Sequence, residues 1–169
     1  QKNQRILVEL LAHDSTAHLL LIGPITSESH RDEVLARVRE LNAEDRFTLV
    51  PGLPPGDPLL LASLHEADLF LLPSLHEPFG IAALEAQAAG LPVIASGAGG
   101  LKDFIIDRRN GLLFRPGELS ELFAAYDEII GNAVLRERIA ARAREDAKAF
   151  SWDAIAEKTL ELYNELRRK

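Results

Sequence analysis

Residues 68–95 read DLFLLPSLHEPFGIAALEAQAAGLPVIA, and this stretch decides the fold. An apolar run ends at Pro73, and a tight turn over residues 77–80 follows it. A helical pattern then runs from about Ile81 to Ala89, where Gly90 ends it, and a second apolar run begins at Pro92. This order of strand, turn, helix and strand predicts one unit of a parallel sheet, because a crossover helix joins neighbouring parallel strands.

Five short apolar runs of this kind are separated by helical patterns. They cover residues 18–22, 47–50, 68–72, 92–95 and 111–114. Their nearly continuous apolar character is typical of parallel strands that helices cover on both faces. We therefore predict an α/β fold, a Rossmann-like doubly wound parallel sheet with helices on both faces. The order opens with a helix, whereas a Rossmann-like half opens with a central strand, so we expect that first strand to be missing and its two neighbours to carry unpaired edges.

Helical spacing of apolar residues marks further helices around the strands. Stripes begin at Ile6, Val34 and Leu119, and a charged, Ala-rich segment over residues 132–148 predicts an exposed helix with one apolar edge. The last stripe begins after Ser151, a residue suited to an N-cap, and includes Trp152 and Tyr163. At this spacing we expect both aromatic side chains to belong to the core rather than to a sugar-stacking platform.

Composition excludes several classes of protein. The 169 residues carry 19 Lys and Arg against 26 Asp and Glu, a formal net charge of −7, which argues against a general nucleic-acid binder. Cysteine is absent, which excludes disulfide scaffolds, thiolate metal sites and Cys nucleophiles. No apolar run approaches about 18 residues, so no transmembrane segment is predicted, and with no signal-peptide pattern at its start the protein is expected in the cytoplasm. Methionine is also absent and the chain opens on Gln1, so we expect a piece of a longer protein.

The predicted turn before the helix at Ile81 has the features of an anion site. Ligands bind to α/β sheets at the carboxyl ends of strands, and free N–H groups near Phe79, Gly80 and Ile81 would face an anion there. A second loop with exposed amides follows the next strand at Gly99 and Gly100. Two such loops suit a diphosphate better than a single phosphate.

Two carboxylates, Glu77 and Glu85, flank this predicted anion site. They would repel phosphate, so we interpret them as acceptors of hydrogen bonds from the hydroxyls of a sugar and a ribose, with a nearby cation that offsets their charge.

The segment from Glu77 to Glu85, with the pattern E-P-F-G-I-x-x-L-E, resembles the E-x7-E motif of retaining glycosyltransferases of GT-B architecture. The similarity is closest to family 4, which includes sucrose-phosphate synthases and many bacterial glycosyl and mannosyl transferases. It extends over nearly the whole chain through further short matches: K-N-Q at residues 2–4, Ile22-Gly23, Ala67-Asp68, Pro73-Ser74, Gly99-Gly100, residues 110–113 and residues 150–152.

The resemblance implies a role for each matching residue. Glu77 would contact hydroxyls of the donor sugar at the reaction centre and is the candidate catalytic residue, although not as a nucleophile. Amides of Phe79, Gly80 and Ile81 would hold the sugar and the diphosphate, and Glu85 would grip the ribose hydroxyls.

Two basic residues bind the phosphates in the family, an Arg and a Lys. Lys2 matches the Lys, whereas the Arg would lie upstream. Where the family has Pro and Glu after its Gly-Gly loop, this chain has Lys102 and Asp103. Lys102 would either add positive charge near the phosphates or point to solvent.

The resemblance also implies the organisation of the protein. Residues 1–169 would form the carboxy-terminal, nucleotide-sugar-binding domain of a two-domain enzyme, whose amino-terminal domain binds most of the acceptor. The partner would be a nucleoside-diphosphate sugar. No cofactor and no metal are expected, since no Asp-x-Asp motif is present. The isolated domain would be inactive.

Three alternatives stay open at this stage. One is a non-catalytic module that binds a nucleotide sugar for regulation, and another is a GT-B-shaped sugar-nucleotide epimerase. A nicotinamide-dependent dehydrogenase is disfavoured, because the Gly97-x-Gly99-Gly100 loop does not fit the Gly-x-Gly-x-x-Gly spacing.

Overall fold

The computed structural model describes residues 1–54 and 56–168. This part of the chain contains five strands and eight α-helices; a helix joins each strand to the next, except that only a 3₁₀ turn lies between the fourth and the fifth. The strands are β1 (Leu19–Ile22), β2 (Phe47–Val50), β3 (Phe70–Leu72), β4 (Val93–Ser96) and β5 (Leu112–Phe114). The helices are α1 (Arg5–Val8), α2 (Leu10–His13), α3 (Glu28–Glu40), α4 (Pro58–Glu66), α5 (Ile81–Ala89), α6 (Leu119–Gly131), α7 (Ala133–Ala147) and α8 (Trp152–Arg167). Within the same ranges, no helix has both the length and the apolar character needed to cross a bilayer.

All strand pairs are parallel. β1 pairs with β2, and β4 lies between β3 and β5. The predicted α/β fold with parallel strands is therefore confirmed, and the strand bounds differ from the predicted ones by only one or two residues. Helix α5 has its predicted bounds because glycines flank it: Gly80 and Gly90 have φ values of 102° and 87°, a left-handed conformation that favours glycine.

Strand β4 shows why its sequence is continuously apolar. All four of its residues are buried. Ile94 packs in a core cluster with residues of α1, α3, α6 and α7, whereas Val93 and Ala95 pack on the other face with residues of α5. Since side chains alternate between the faces of a strand, a strand covered on both sides needs apolar residues at every position.

A groove separates the two groups of strands. It measures about 810 Å³ and is lined by Leu19 and Leu20 of β1 and by Phe70 and Leu71 of β3, among others. In the described part of the chain, β1 pairs only with β2 and β3 pairs only with β4, so each has one open edge. The groove lies where the sequence analysis expected a further strand.

A hydrogen-bonded cluster at the amino end of β1 fixes α2 to α6. The Tyr126 hydroxyl donates to Asp14 Oδ2 at 2.7 Å, and both the backbone and the hydroxyl of Thr16 donate to Asp14 Oδ1. The bonds from Thr16 and then from Tyr126 lower the pKa of Asp14 from 3.8 to about 2. Burial, followed by the bond to Asp14, raises the pKa of Tyr126.

Helix α8 forms as predicted, but its apolar face is exposed. Ser151 Oγ accepts a hydrogen bond from the Ala154 N–H at 3.2 Å, which confirms the N-cap. Trp152 is 86% exposed and Tyr163 is 60% exposed, so the prediction that they belong to the core is wrong. The helical period identifies which face of a helix is apolar, but it does not identify what covers that face.

Candidate functional site

The candidate site lies at the carboxyl ends of β3 and β4. Residues 73–80 connect β3 to α5, and a loop with a short 3₁₀ turn over Gly99–Asp103 follows β4. Because neighbouring parallel strands end at the same edge of a sheet, these two loops meet. The first residues of the chain contact the loop that follows β3, since the Leu75 N–H donates to the Gln1 carbonyl oxygen at 2.7 Å.

Lys2 and Glu77 form an ion pair in this site. Lys2 Nζ lies 2.6 Å from Glu77 Oε2. The Lys2 side chain is 49% exposed, whereas that of Glu77 is only 8% exposed. The Ser74 hydroxyl donates to the same Glu77 oxygen at 3.1 Å. Burying a carboxylate is costly unless donors surround it, and these two residues are the donors.

The start of α5 presents free backbone donors. In the described part of the chain, the N–H groups of Phe79, Gly80, Ile81 and Ala82 have no hydrogen-bond acceptor, and no side chain caps this end of the helix. Free N–H groups together with the helix dipole attract an anion at a helix N-terminus. Free backbone donors of the kind expected for an anion site are therefore present at this end of α5, and anion binding itself stays a prediction.

A hollow of about 270 Å³ opens beside this helix end. It brings together five of the eight predicted site residues: Lys2, Glu77, Phe79, Gly80 and Ile81. Leu72, Pro78 and Ala82 complete its lining. Lys2, Glu77 and the residues with free amides, 79–82, thus line one space that is otherwise apolar.

Gly99 and Gly100 lie underneath the turn rather than along the hollow. The Gly100 N–H donates to the Glu77 carbonyl oxygen at 3.0 Å. A Cβ atom on Gly99 would overlap that same carbonyl oxygen, and one on Gly100 would overlap the carbonyl oxygen of Pro78. The two glycines therefore permit a close contact between loops, and because the Gly100 amide already has an acceptor, their phosphate role stays a prediction.

Glu85 does not line the hollow. Its side chain is exposed, and it has no hydrogen-bond or ion-pair partner within the described residues. It lies four residues after Ile81 and three after Ala82, so it shares their side of α5. A ligand that extends from the hollow along this side of α5 would reach Glu85.

Residues around the hollow support its shape. The Phe79 ring packs against Phe104 and Phe150, with ring centroids 5.3 and 6.1 Å away. The Lys102 side chain is exposed and extends across Gly97, close to where a Cβ atom of that residue would lie. This position is compatible with both expectations for Lys102, positive charge near the phosphates and a side chain that points to solvent.

From the sequence, Ser74 is marked only by the Pro73-Ser74 match, and Ser96 is not singled out. Both residues are fully buried. The Ser96 hydroxyl donates to the Ser74 carbonyl oxygen, which links the ends of β4 and β3. Ser96 ends an otherwise apolar strand and Ser74 belongs to the Pro73-Ser74 match, but neither signal shows what the hydroxyl contacts. Among the described residues, no three His, Asp or Glu side chains are grouped to hold a metal ion, and metal-independent chemistry stays a prediction.

Known proteins resemble this chain over nearly its full length. A family described as "Glycosyl transferases group 1" matches residues 1–146. D-inositol 3-phosphate glycosyltransferase of Nocardia farcinica is 36% identical over 164 residues, which are 95% of this chain and 36% of that relative. The chain thus spans about a third of the length of such relatives.

Two solved structures share the fold. Sucrose-phosphate synthase from Thermosynechococcus elongatus superposes with a TM-score of 0.85 at 34% identity, over 99% of this chain and 43% of that protein. Anabaena HepE in complex with UDP-glucose superposes with a TM-score of 0.84 at 27% identity, over 97% of this chain and 45% of that protein. These matches agree with the Rossmann-like architecture of the carboxy-terminal half of the GT-B fold.

Proposed function

The chain belongs to the glycosyl transferases group 1 family, and we propose that it is the donor-binding domain of a retaining glycosyltransferase of family 4. The domain would bind a nucleoside-diphosphate sugar, and the whole enzyme would transfer the sugar to an acceptor without a metal ion. One observation carries the proposal: Lys2, Glu77 and residues 79–82, whose amides have no acceptor in the described part of the chain, line the same hollow.

The diphosphate binds at the start of α5. Four free N–H groups, from Phe79 to Ala82, donate to its oxygens, and the helix dipole favours its negative charge. Lys2 adds a full positive charge at the edge of the hollow. Its half-exposed, flexible side chain can exchange the carboxylate of Glu77 for a phosphate oxygen.

Glu77 binds the transferred sugar. Its Oε2 atom accepts from Lys2 and Ser74, whereas Oε1 has no partner in the described part of the chain. A carboxylate oxygen with free lone pairs accepts a hydrogen bond from a sugar hydroxyl. A buried position makes this bond strong and orients the sugar next to the diphosphate that leaves.

Glu85 binds the ribose. It lies one helical turn beyond the diphosphate site, and its two oxygens are free to accept from two neighbouring hydroxyls. The nucleotide would therefore extend along α5, away from Glu77.

The reaction breaks the bond between the sugar and the diphosphate. Negative charge develops on the departing diphosphate, and the amides of α5 together with Lys2 stabilise it where it forms. We propose that an acceptor hydroxyl attacks from the same face and gives its proton to the departing diphosphate oxygen, so that the configuration of the sugar is retained. Glu77 then positions the sugar without acting as a nucleophile.

The acceptor site is proposed to lie in a second domain. The chain covers about a third of the length of its relatives. We propose that a longer protein supplies both this second domain and the strand that fills the groove between β1 and β3. This domain alone would then be inactive.

Binding of nucleotide sugars to the full-length protein tests the proposal. UDP-glucose, ADP-glucose and GDP-mannose are compared by titration calorimetry, each with its free nucleotide as a reference. We expect one of them to bind, and Glu85→Ala to weaken that binding roughly ten- to more than a hundredfold, because a hydrogen bond to a charged group contributes about 1.5–3 kcal/mol.

Glu137→Ala is the matched control, since Glu137 is an exposed glutamate on α7. It should leave the affinity unchanged. Equal affinity of the Glu85→Ala variant and the unmutated protein would contradict the proposal. Binding without turnover by the full-length protein, with a range of acceptors, would indicate a regulatory module instead.

A further inference from the structure

The carboxylate of Glu77 has two donors of different character. Lys2 Nζ and the Ser74 hydroxyl both donate to Oε2, at 2.6 and 3.1 Å. Lys2 is half-exposed at the end of a flexible side chain, whereas Ser74 is fully buried. Only the bond from Ser74 is therefore built into the interior of the domain.

Ser74 is itself fixed by its surroundings. The buried Ser96 hydroxyl donates to its carbonyl oxygen, and the N–H of the following residue, Leu75, donates to Gln1. These bonds attach Ser74 to the end of β4 and to the start of the chain. They hold its backbone in place, and its buried hydroxyl donates to Glu77 Oε2.

When Lys2 turns to a phosphate, Glu77 Oε2 loses its charged partner. A buried carboxylate oxygen without a donor is costly, so the side chain would otherwise rotate toward another donor. The Ser74 hydroxyl then remains as the partner of Oε2 within the described residues. This hydrogen bond keeps Oε2 directed at Ser74 in the interior and leaves Oε1 free to accept from the ligand.

We infer that Ser74 is a positioning residue, whose hydroxyl holds the Glu77 carboxylate so that Oε1 accepts a hydroxyl of the donor sugar while Lys2 binds phosphate. This inference rests on the proposed function. It predicts that loss of the hydroxyl affects the contribution of the sugar and not that of the nucleotide.

The test measures this sugar contribution in the full-length protein. It is the ratio of the dissociation constant of the free nucleotide to that of its sugar conjugate, for UDP and UDP-glucose, ADP and ADP-glucose, and GDP and GDP-mannose. For the pair that binds, Ser74→Ala should lower the ratio about tenfold and leave nucleotide affinity unchanged. Ser74→Cys, with a similar volume and a weak donor, should lower it less.

Ser63→Ala is the control, because it also removes a serine hydroxyl that donates a hydrogen bond, here to the Leu59 carbonyl oxygen within α4 and away from Glu77. It should leave the ratio unchanged. A double variant then separates positioning from structure. In a Glu77→Ala background, Ser74→Ala should cause no further loss, since the group that it positions is gone.

The outcomes distinguish the inference from the proposed function. If Glu77→Ala lowers the ratio and Ser74→Ala does not, the inference is wrong and the proposed function stands. If the two losses multiply in the double variant, Ser74 acts on the fold and not through Glu77, which also overturns the inference. If Glu77→Ala leaves the ratio unchanged, or no nucleotide sugar binds, the proposed function fails first.

Discussion

Replacing Gly99 by alanine should destabilise the domain through the contact between its two site loops. Gly99 has a φ of 51°, and a Cβ atom there would overlap the Glu77 carbonyl oxygen and lie 3.0 Å from its carbon. The neighbour is backbone, so it cannot move aside as a flexible side chain can. Either the turn at Glu77 moves or Gly99 changes its conformation.

The magnitude follows from these two effects. A left-handed conformation costs a residue with a Cβ about 1–2 kcal/mol, and forcing extra atoms into a packed contact costs typically about 1–3 kcal/mol. The hydrogen bond from Gly100 to the same carbonyl, about 1 kcal/mol, is strained as well. We expect a loss of about 2–5 kcal/mol, which for a domain of this size lowers Tm by roughly 4–20 °C.

Thermal unfolding followed by circular dichroism measures this effect. Gly131→Ala is the matched control, because Gly131 ends α6 and a Cβ atom there meets nothing within 4 Å. Alanine at that position should be neutral or stabilising by up to about 1 kcal/mol. If Gly99→Ala unfolds at the same temperature as the unmutated protein, the loops are not in the contact described.

Three further predictions concern parts of the domain outside the site. The lowered pKa of Asp14 means that its ionised form stabilises the fold above pH 3.8 and that this stabilisation is lost as the pH falls toward 2. Asp14→Asn should therefore flatten the dependence of Tm on pH in this range, and an unchanged slope would contradict the lowered pKa of Asp14. Trp152→Ser should change the free energy of unfolding, measured in urea, by less than about 0.5 kcal/mol because the side chain is exposed. Ile139→Ala, in the core, should lower the same free energy by about 2–5 kcal/mol, and an equal loss for both variants would show that the apolar face of α8 is packed. Adding the residues that precede Gln1 in a longer protein should fill the groove between β1 and β3 and raise Tm, and a Tm no higher than that of this chain would argue against a strand there.

The sequence predicts the elements of the fold well because each has a local cause. Glycines in left-handed conformations flank α5, so its bounds could be taken from residues 80 and 90 alone. Strand β4 is buried on both faces, so its apolar run needed no alternation to be recognised. Helix α8 was predicted as a helix for the same local reason, yet its apolar face is exposed, because what covers a face is decided elsewhere in the protein.

The site is predictable in part. The turn at Glu77 and the free amides of α5 follow from the order of strand, turn and helix, which any Rossmann-like unit shares. The ion pair between Lys2 and Glu77 could not be derived this way, since 75 positions separate the two residues and only the folded sheet brings them together. The support from Ser74 was missed because the Pro73-Ser74 match marks the residue without showing what its hydroxyl contacts.

The most direct test of the proposed donor site is a crystal structure of the full-length protein with an intact nucleotide sugar. We expect the diphosphate oxygens on the amides of residues 79–82, Glu77 Oε1 on a sugar hydroxyl and both Glu85 oxygens on the ribose, each within about 3.2 Å. Lys2 Nζ should have left Glu77 for a phosphate oxygen. A diphosphate bound away from the start of α5, or a ribose out of reach of Glu85, would contradict the account.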